Sequence, residues 1–365
     1  MKIKLMPLLL AACMLLSGCS SWMDGAYYFI EPHSEQGNQS EEGITQVSSY
    51  NELRNALAAS VEGGLESLTV TAPGMTPDNL TANLKMAVQN TINNNPIGAY
   101  AVERITYEVG TTGGVPAGVI TIVYNHNRSE LRRIPQVKNM TEAKKLIYSA
   151  LERVDSGIVL KVSSYNYTDF VQLVQDYAFE NPDKVMELPQ VSANVYPNIG
   201  VVRVVELNFT YQTSRDSLKK MVDYVQPMFS SAKLYVQGEE DQLLKYTRLY
   251  GFLVETTEYT VETSITPAYS LLRYGVGDSK AFATVYATMC KNAGLECLVV
   301  SGTKDGEPRF WNIICMDGVY YHVDLLESYW LGGYQTRSDA QMADYVWDYT
   351  TYPECGTTET VESAE

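Results

Sequence analysis

Three residues in the C-terminal third of the chain have the side chains of a nucleophile, a base and an acid. Ser279 stands at the predicted start of a helix, and His322 and Asp324 lie two positions apart on one predicted strand. Residues i and i+2 of a strand share a face, so the imidazole and the carboxylate can point the same way. A serine hydroxyl needs an adjacent general base before it can attack an acyl carbon. A Ser279–His322–Asp324 arrangement would therefore suit acyl transfer or hydrolysis.

The motifs around these residues resemble the catalytic core of the transglutaminase-like superfamily, whose members use a Cys-His-Asp triad. Family members carry Gly-x-Cys at a helix start, then a His-x-Trp-Asn strand and a Tyr-His-x-Asp strand. The matching segments of this chain are residues 274–283, 309–312 and 321–324. The resemblance extends over about residues 239–355. It implies an α+β fold with a C-terminal domain of the papain-like cysteine-proteinase type.

Two of the three triad positions hold residues that differ from the family pattern. Ser279 stands where the family has its cysteine, Arg309 stands where it has its histidine, and Asp324 matches the family's acid. In intact members the helix N-terminus and a neighbouring imidazole lower the pKa of the cysteine, and the histidine passes the proton to the leaving group. Arg309 has only hydrogen-bond donors and stays charged at any workable pH. The resemblance therefore implies a degenerate triad in a pseudoenzyme.

The predicted hairpin suggests what Arg309 does in place of catalysis. Asp317 and Gly318 form a strong two-residue turn signal between two strand-like runs. The resulting register places residue 311 opposite residue 324 and residue 313 opposite residue 322. Arg309 then lies diagonally from Asp324 on the same face, within reach of a long side chain. We expect an Arg309–Asp324 ion pair at the position of the family's His–Asp pair.

The other motif residues have competing interpretations. His322 is either the alternative base for Ser279 or a structural residue, because a Tyr-His-x-Asp strand is common in intact members, where another histidine is catalytic. Trp311 and Asn312 match the family pattern and are expected to shape a binding cleft or to pack. Asp278 caps the helix start, and its charge opposes any anion formed beside it.

Composition limits the possible partners. The 365-residue chain has 27 basic and 43 acidic side chains, for a formal net charge of −16. Phosphate binding needs clustered lysine and arginine, so nucleic acid is not expected as a partner. The three histidines and the cysteines lack the spacing of metal ligands. We expect neither a metal nor a cofactor.

The N-terminus resembles a bacterial lipoprotein signal peptide. Lys2 and Lys4 precede an apolar run over residues 5–16 that is too short to span a bilayer. The following Leu-Ser-Gly-Cys resembles a lipobox, which implies acylation of Cys19 and anchoring in the lipid bilayer, facing outside the cytoplasm. The alternative is an ordinary signal peptide with an incidental cysteine.

In such a compartment the remaining cysteines become disulfide candidates. They are Cys290, Cys297, Cys315 and Cys355. Four cysteines allow three pairings, which the sequence does not distinguish. Free buried thiols are the alternative.

The region before the transglutaminase-like motifs is predicted to repeat. Helix starts at Ser49 and Asn139 are each followed by a β-rich run, a second helix and two further strands. The clearest match is Tyr-x-x-x-Arg at 124–128 and at 211–215, an offset of 87 residues. Two similar α/β units are the expected result.

The complete prediction is an α+β membrane-anchored lipoprotein with an internal repeat. Its segments are a signal peptide (1–18), a disordered tether (19–45), α/β repeat unit 1 (46–134), α/β repeat unit 2 (135–228), a transglutaminase-like domain (229–355) and a disordered tail (356–365). The expected function is non-catalytic binding or scaffolding of a peptide, protein or peptidoglycan ligand. The alternatives are an acyl transferase or hydrolase that uses Ser279 with His322 and Asp324, and a protein whose repeat pair is the functional part.

Overall fold

The computed structural model describes residues 43–255, 257–260 and 262–356. The predicted signal peptide, the acylation site Cys19, the tether up to residue 42 and the tail from residue 357 lie outside the described residues. Within the described ranges, the helices are too short or too polar to cross a bilayer. Helices hold 42% and strands 28% of the residues, which confirms the mixed α+β class.

The first unit is a four-stranded sheet covered by helices. Its elements are β1 (Ile44–Gln46), α1 (Tyr50–Glu62), β2 (Ser67–Thr71), α2 (Pro77–Asn94), α3 (Pro96–Ala101), β3 (Val102–Thr112), β4 (Val115–Tyr124) and α4 (Arg128–Leu131). The strand order is β1-β2-β4-β3, with β1 parallel to β2 and the other pairs antiparallel. Ser49 caps α1 through its side chain, as its sequence position predicts. Leu53, Leu57 and Val70 are fully buried between the helices and the sheet.

The second unit has the same order of strands and main helices. Its elements are β5 (Gln136–Asn139), α5 (Met140–Glu152), β6 (Gly157–Ser164), α6 (Phe170–Glu180), β7 (Gln190–Tyr196) and β8 (Arg203–Thr210). The strand order is β5-β6-β8-β7, with β5 parallel to β6. Asn139 caps α5. The two units thus share a topology, and their descent from one repeated sequence stays a prediction.

The C-terminal domain packs helices against an antiparallel sheet. Its elements are α7 (Arg215–Tyr235), α8 (Gln242–Val254), β9 (Glu258–Tyr259), α9 (Pro267–Tyr274), β10 (Val276–Gly277), α10 (Ser279–Asn292), β11 (Cys297–Lys304), β12 (Glu307–Met316), β13 (Val319–Val323), α11 (Leu325–Trp330) and β14 (Tyr345–Trp347). The main sheet has the order β13-β12-β11-β14. Helix α10 lies in the core, where Phe282, Tyr286 and Met289 are buried among residues of α7, α8 and α9. This burial fixes the position of the helix start that carries Ser279.

Helix α7 extends beyond its predicted end at residue 228. The sequence predicts a helix over residues 216–228 that ends near Pro227, but the helix continues through Pro227 to Tyr235. Val225 and Phe229 are buried in the core of the C-terminal domain, and this burial holds the helix together. Proline has no backbone N–H, so the carbonyl of Asp223 lacks its helical hydrogen bond at Pro227. Both residues are exposed, so water can hydrate that carbonyl. Helix α7 therefore runs across the predicted domain boundary between residues 228 and 229, and the position of that boundary stays a prediction.

Candidate functional site

Ser279 is the first residue of α10, and its hydroxyl is in contact with a hydrogen-bond donor of β12. Asp278 caps the helix, and its Oδ1 accepts the N–H of Ala281 at 2.8 Å. The Ser279 hydroxyl accepts the backbone N–H of Phe310 at 3.3 Å. Only 8% of Ser279 is exposed. The contact from β12 is a donor, and a serine nucleophile needs an acceptor for its proton.

Arg309 and Asp324 form the ion pair that the hairpin register predicts. Arg309 Nε donates to Asp324 Oδ2 at 2.7 Å, and its Nη2 donates to Oδ1 at 2.8 Å. Both residues are buried, with 6% and 5% exposure. The predicted pairing of Ile313 with His322 is present in the β12–β13 hairpin. Two parallel charge-assisted bonds of this kind are the strongest form of arginine–carboxylate contact.

The carboxylate of Asp324 has further partners that keep it in place. Strand β13 ends at Val323, and Asp324 caps α11 by accepting the N–H groups of Leu326 and Glu327. Its Oδ2 also accepts the Tyr345 hydroxyl at 2.9 Å. Burial, together with the charge of Asp324, raises the pKa of Tyr345 far above its ordinary value. Tyr345 therefore stays a hydrogen-bond donor.

Arg309 is a permanent cation in this setting. Burial opposes its charged form, but the hydrogen bonds and the charge of Asp324 raise the pKa of the guanidinium above its ordinary value. The guanidinium carbon also lies 5.4 Å from the centre of the Trp330 ring. A guanidinium has no acceptor atom, so Arg309 cannot take a proton from Ser279.

His322 uses both ring nitrogens in contacts with other residues. Its Nδ1 accepts the indole N–H of Trp311 at 3.0 Å, and its Nε2 lies 2.8 Å from Asp339 Oδ1. Because an indole can only donate, Nδ1 is the acceptor and Nε2 carries the proton that Asp339 accepts. Burial lowers the pKa of His322, against the opposing effect of Asp339. In this arrangement the alternative base for Ser279 has no free nitrogen.

Trp311 and Asn312 make contacts inside the domain, and the binding role that their motif suggests stays a prediction. Both are fully buried. Trp311 packs edge-to-face on Tyr345 and Trp347. Asn312 Nδ2 donates to the carbonyl of Ala283 at 2.9 Å and to that of Leu298 at 3.2 Å, which ties α10 to the sheet. These contacts pack the domain and position α10 against the sheet.

One cluster of potential metal ligands is formed by residues distant in sequence. In the described part of the chain, His322, Asp339 and Cys355 bring ligand-type atoms within 4.8 Å of one another. A cation at this cluster would need a lone pair on His322 Nε2. That nitrogen carries the ring proton, because Nδ1 accepts the indole N–H of Trp311. Asp339 Oδ2 instead accepts the backbone N–H of Cys355 at 3.1 Å, and burial with the Asp339 charge raises the pKa of Cys355 to about 12. The cluster fastens the C-terminal segment to the sheet.

The four remaining cysteines are free thiols. Cys290 is fully buried in the core, and burial raises its pKa well above the ordinary value. A thiolate is the reactive form of cysteine, so Cys290 is unsuited to replace the missing nucleophile.

The space around Ser279 is nearly closed. The gap lined by Ser279, Phe310 and Asp324 has no space for a water molecule. A wider groove of about 390 Å³ lies beside it, between α6 and the start of α10. Phe310 lines both spaces.

Sequence reasoning did not find Asp339 or Tyr345, which hold His322 and Asp324 respectively. Both follow the hairpin in segments without a clear periodic pattern. The sequence Tyr-Val-Trp at residues 345–347, with an aromatic residue on each side of a valine, was the one signal of a further strand.

Comparison with known proteins agrees with the motif order. A family model described as the transglutaminase-like superfamily matches residues 230–325. No curated protein matches the chain.

Three solved structures show distant similarity. A structure described as a TGase is 12% identical with a TM-score of 0.27, and the alignment covers 50% of this chain and 54% of that one. A candidate cysteine protease from Cytophaga hutchinsonii is 16% identical with a TM-score of 0.24, over 43% of this chain and 70% of that one. A candidate protease from Parabacteroides distasonis is 9% identical with a TM-score of 0.23, over 70% of this chain and 39% of that one. The chain thus spans about half the length of the first of these structures.

The family match includes the helix start at Ser279, the strand with Arg309 and the acid Asp324. Residues 230–325 of this chain are a transglutaminase-like domain.

Proposed function

We propose that this chain is a lipoprotein outside the cytoplasm, anchored through acylated Cys19, whose transglutaminase-like domain binds a peptide or cell-wall ligand without catalysing acyl transfer. The observation that carries this proposal is the buried, two-bonded ion pair between Arg309 and Asp324. It occupies the position at which the family has its histidine and aspartate.

The ion pair is too costly to open for catalysis. Removing one partner of a buried pair leaves an uncompensated charge, at a cost of about 3–5 kcal/mol. Opening the pair would also expose Asp324 without supplying a base, because Arg309 has no acceptor. A triad aspartate acts by orienting a histidine, and here Asp324 orients an arginine.

The route through His322 requires even more rearrangement. His322 would have to give up its bonds to Trp311 and Asp339 before it could serve Ser279. Trp311 and His322 are both fully buried, and a buried polar group without its partner costs about 1–3 kcal/mol. This argues against the transferase or hydrolase alternative.

A narrow site also disfavours turnover. Hydrolysis of an acyl-enzyme needs a water molecule beside the acyl carbon, and the gap at Ser279 admits none. A scaffold that has kept its fold and closed its site is suited to binding through neighbouring surfaces. Function resides in such sites and does not follow from the fold.

The test is an acyl-transfer and hydrolysis assay with the full-length protein in nonionic detergent. Amide and peptide donors are supplied with and without a primary amine acceptor. The wild type, Ser279→Ala and His322→Ala are compared, with Ser230→Ala as a control for an exposed serine elsewhere. We expect no turnover above the rate of Ser279→Ala. Turnover in the wild type and the control that both site variants abolish would overturn the proposal.

A further inference from the structure

A groove of about 390 Å³ separates α6 of the second unit from the start of α10 in the transglutaminase-like domain. This volume lies within the range of about 300–1,000 Å³ that is typical of small-ligand sites. The groove contains Lys280, the residue next to Ser279, and it is open to solvent on one side.

Lys280 is the basic residue of the groove, and aromatic rings hold it in place. Its ammonium lies 5.2 Å from the centre of the Phe179 ring and 5.5 Å from that of the Phe310 ring. Across the residues that the structure describes, Lys280 forms no salt bridge. Asp176 also lines the groove, but its carboxylate accepts the side-chain amide of Gln172 at 2.7 Å. Among the described residues, the ammonium is therefore held by two rings without a carboxylate at salt-bridge distance, while Asp176 adds a negative charge elsewhere in the groove.

The walls of the groove are apolar on one side and polar on the other. Pro182, Met186 and Leu188 supply the apolar wall, and Leu188 is 44% exposed although it is a large aliphatic residue. Gln175 and Ser301 add an amide and a hydroxyl. Such groups can bond the amides of a peptide backbone. The lining thus offers an apolar contact, hydrogen-bonding groups and one cation.

We propose that this groove binds the C-terminal end of a peptide, with the free carboxylate at Lys280 and an apolar terminal side chain against Met186 and Leu188. This assignment rests on the proposed binding function and names its ligand class. An ammonium held between two rings has lost part of its side-chain freedom before binding, which lowers the entropic cost of contact with a carboxylate. Opposite charges in a half-buried groove attract more strongly than in open water.

The location of Lys280 agrees with this role. It lies in the first turn of α10, where the helix dipole disfavours a cation. The same positive end of the dipole favours an incoming carboxylate. A residue that violates a local preference in this way is expected mainly at functional sites.

The test measures binding by isothermal titration calorimetry with full-length protein in nonionic detergent. The probes are acetyl-Gly-Ala-Leu with a free carboxylate, the same peptide as its C-terminal amide, and hexanoate. The variants are Lys280→Met, which keeps the length and apolar stem, Lys280→Arg, which keeps the charge, and Lys291→Met, an exposed lysine at the far end of the same helix.

We expect the peptide acid to bind at least about tenfold more tightly than the amide, as one charge-assisted bond implies. Lys280→Met should abolish that difference, Lys280→Arg should retain most of it, and Lys291→Met should leave it unchanged. The affinities of the wild type for the peptide acid and the peptide amide can be compared without any variant. This comparison therefore tests the proposal even if Lys280→Met does not fold.

Equal affinity for acid and amide, no binding of either peptide, or tight binding after Lys280→Met would each overturn the proposal. Hexanoate that binds as tightly as the peptide acid would assign the groove to fatty carboxylates and overturn the peptide assignment. These failures differ from failure of the proposed function, which shows itself as acyl-transfer turnover.

Discussion

Arg309 stands at the position where a transglutaminase-like triad has its imidazole, and it brings a permanent cation with no acceptor atom. The site remains electrostatically satisfied because Asp324 receives two bonds from Arg309, two from backbone N–H groups and one from Tyr345. A buried carboxylate with this many donors is a stable structural element. In the proposed function, this fixed ion pair takes the place of the family's proton-transferring imidazole.

Arg309→Met should destabilise the protein strongly. The change leaves the Asp324 carboxylate buried without its cation, and such losses lower the free energy of unfolding by about 3–5 kcal/mol. Urea unfolding at pH 7 measures the change. Arg104→Met is the matched control, because the Arg104–Glu103 contact is on the surface, where ion pairs contribute about 0–1 kcal/mol. Equal stability of wild type and Arg309→Met would contradict the role assigned to the pair.

His322 should make the protein less stable at mildly acidic pH. Burial lowers its pKa in the folded state, while the unfolded chain has the ordinary value of about 6.5. The unfolded state therefore binds the proton first, and stability falls as the pH drops below about 6.5 towards the lower folded pKa.

The urea midpoints of the wild type and His322→Gln between pH 7.5 and pH 5.5 measure this effect. We expect the wild type to lose stability over that window and His322→Gln to lose less. His126→Gln serves as the control for the loss of an imidazole outside the C-terminal domain. A steeper loss of stability in His322→Gln than in the wild type would contradict the buried neutral imidazole.

The hairpin of β12 and β13 shows how far sequence can predict an element. Asp317 and Gly318 both have positive φ, 51° and 82°, as the two-residue turn requires. The turn fixes the strand register, and the register brings Arg309 to Asp324, so this part of the site was predictable. Asp339 and Tyr345 were not, because they reach the site from segments that only tertiary packing positions. The groove at Lys280 was hidden for the same reason, since α6 supplies one of its walls.

Helix α7 shows where local preference fails. Proline is a strong helix breaker in the interior of a helix, and tertiary packing of Val225 and Phe229 overrides it here.

Pro227→Ala should stabilise the protein. Alanine restores the backbone N–H and removes the clash with the preceding turn, but it also gives the unfolded chain more conformational freedom. The net increase in the free energy of unfolding should be about 1–3 kcal/mol. Thermal and urea unfolding measure the change. Ser230→Ala, exposed on the same helix, should shift stability by no more than about 0.5 kcal/mol. A clear loss of stability in Pro227→Ala would contradict this expectation.

At the scale of the whole molecule, the second unit and the C-terminal domain share contacts beside the degenerate site. Phe179 of α6 lies 5.9 Å from Phe310 of β12, measured between ring centres, and Lys280 contacts both rings. The first two units are joined by the Lys161–Glu62 salt bridge and by Tyr100 against Tyr196. The strongly acidic chain is suited to repel anionic surfaces, so we expect membrane attachment to depend on the acylated N-terminus.

Cys19→Ala should release the protein from membranes. Two or more acyl chains give stable anchoring, whereas the helices of the described residues are too short or too polar to cross a bilayer. Fractionation of a bacterial expression host, with immunodetection of the chain, measures the distribution. Cys355→Ala controls for the loss of a thiol as such and should remain in the membrane fraction. Equal membrane retention of Cys19→Ala and wild type would contradict the lipid anchor.

The nucleophilicity of Ser279 can be measured with a fluorophosphonate, which forms a covalent adduct with activated serine hydroxyls. Full-length protein is incubated with the reagent and digested, and the mass of the peptide that contains Ser279 is measured by mass spectrometry. Because the Ser279 hydroxyl accepts the Phe310 N–H and has no base as a partner among the described residues, we predict no adduct on this peptide in wild type or in His322→Ala. A stoichiometric adduct on wild-type Ser279 that disappears in His322→Ala would contradict the account and identify an active acyl-transfer site.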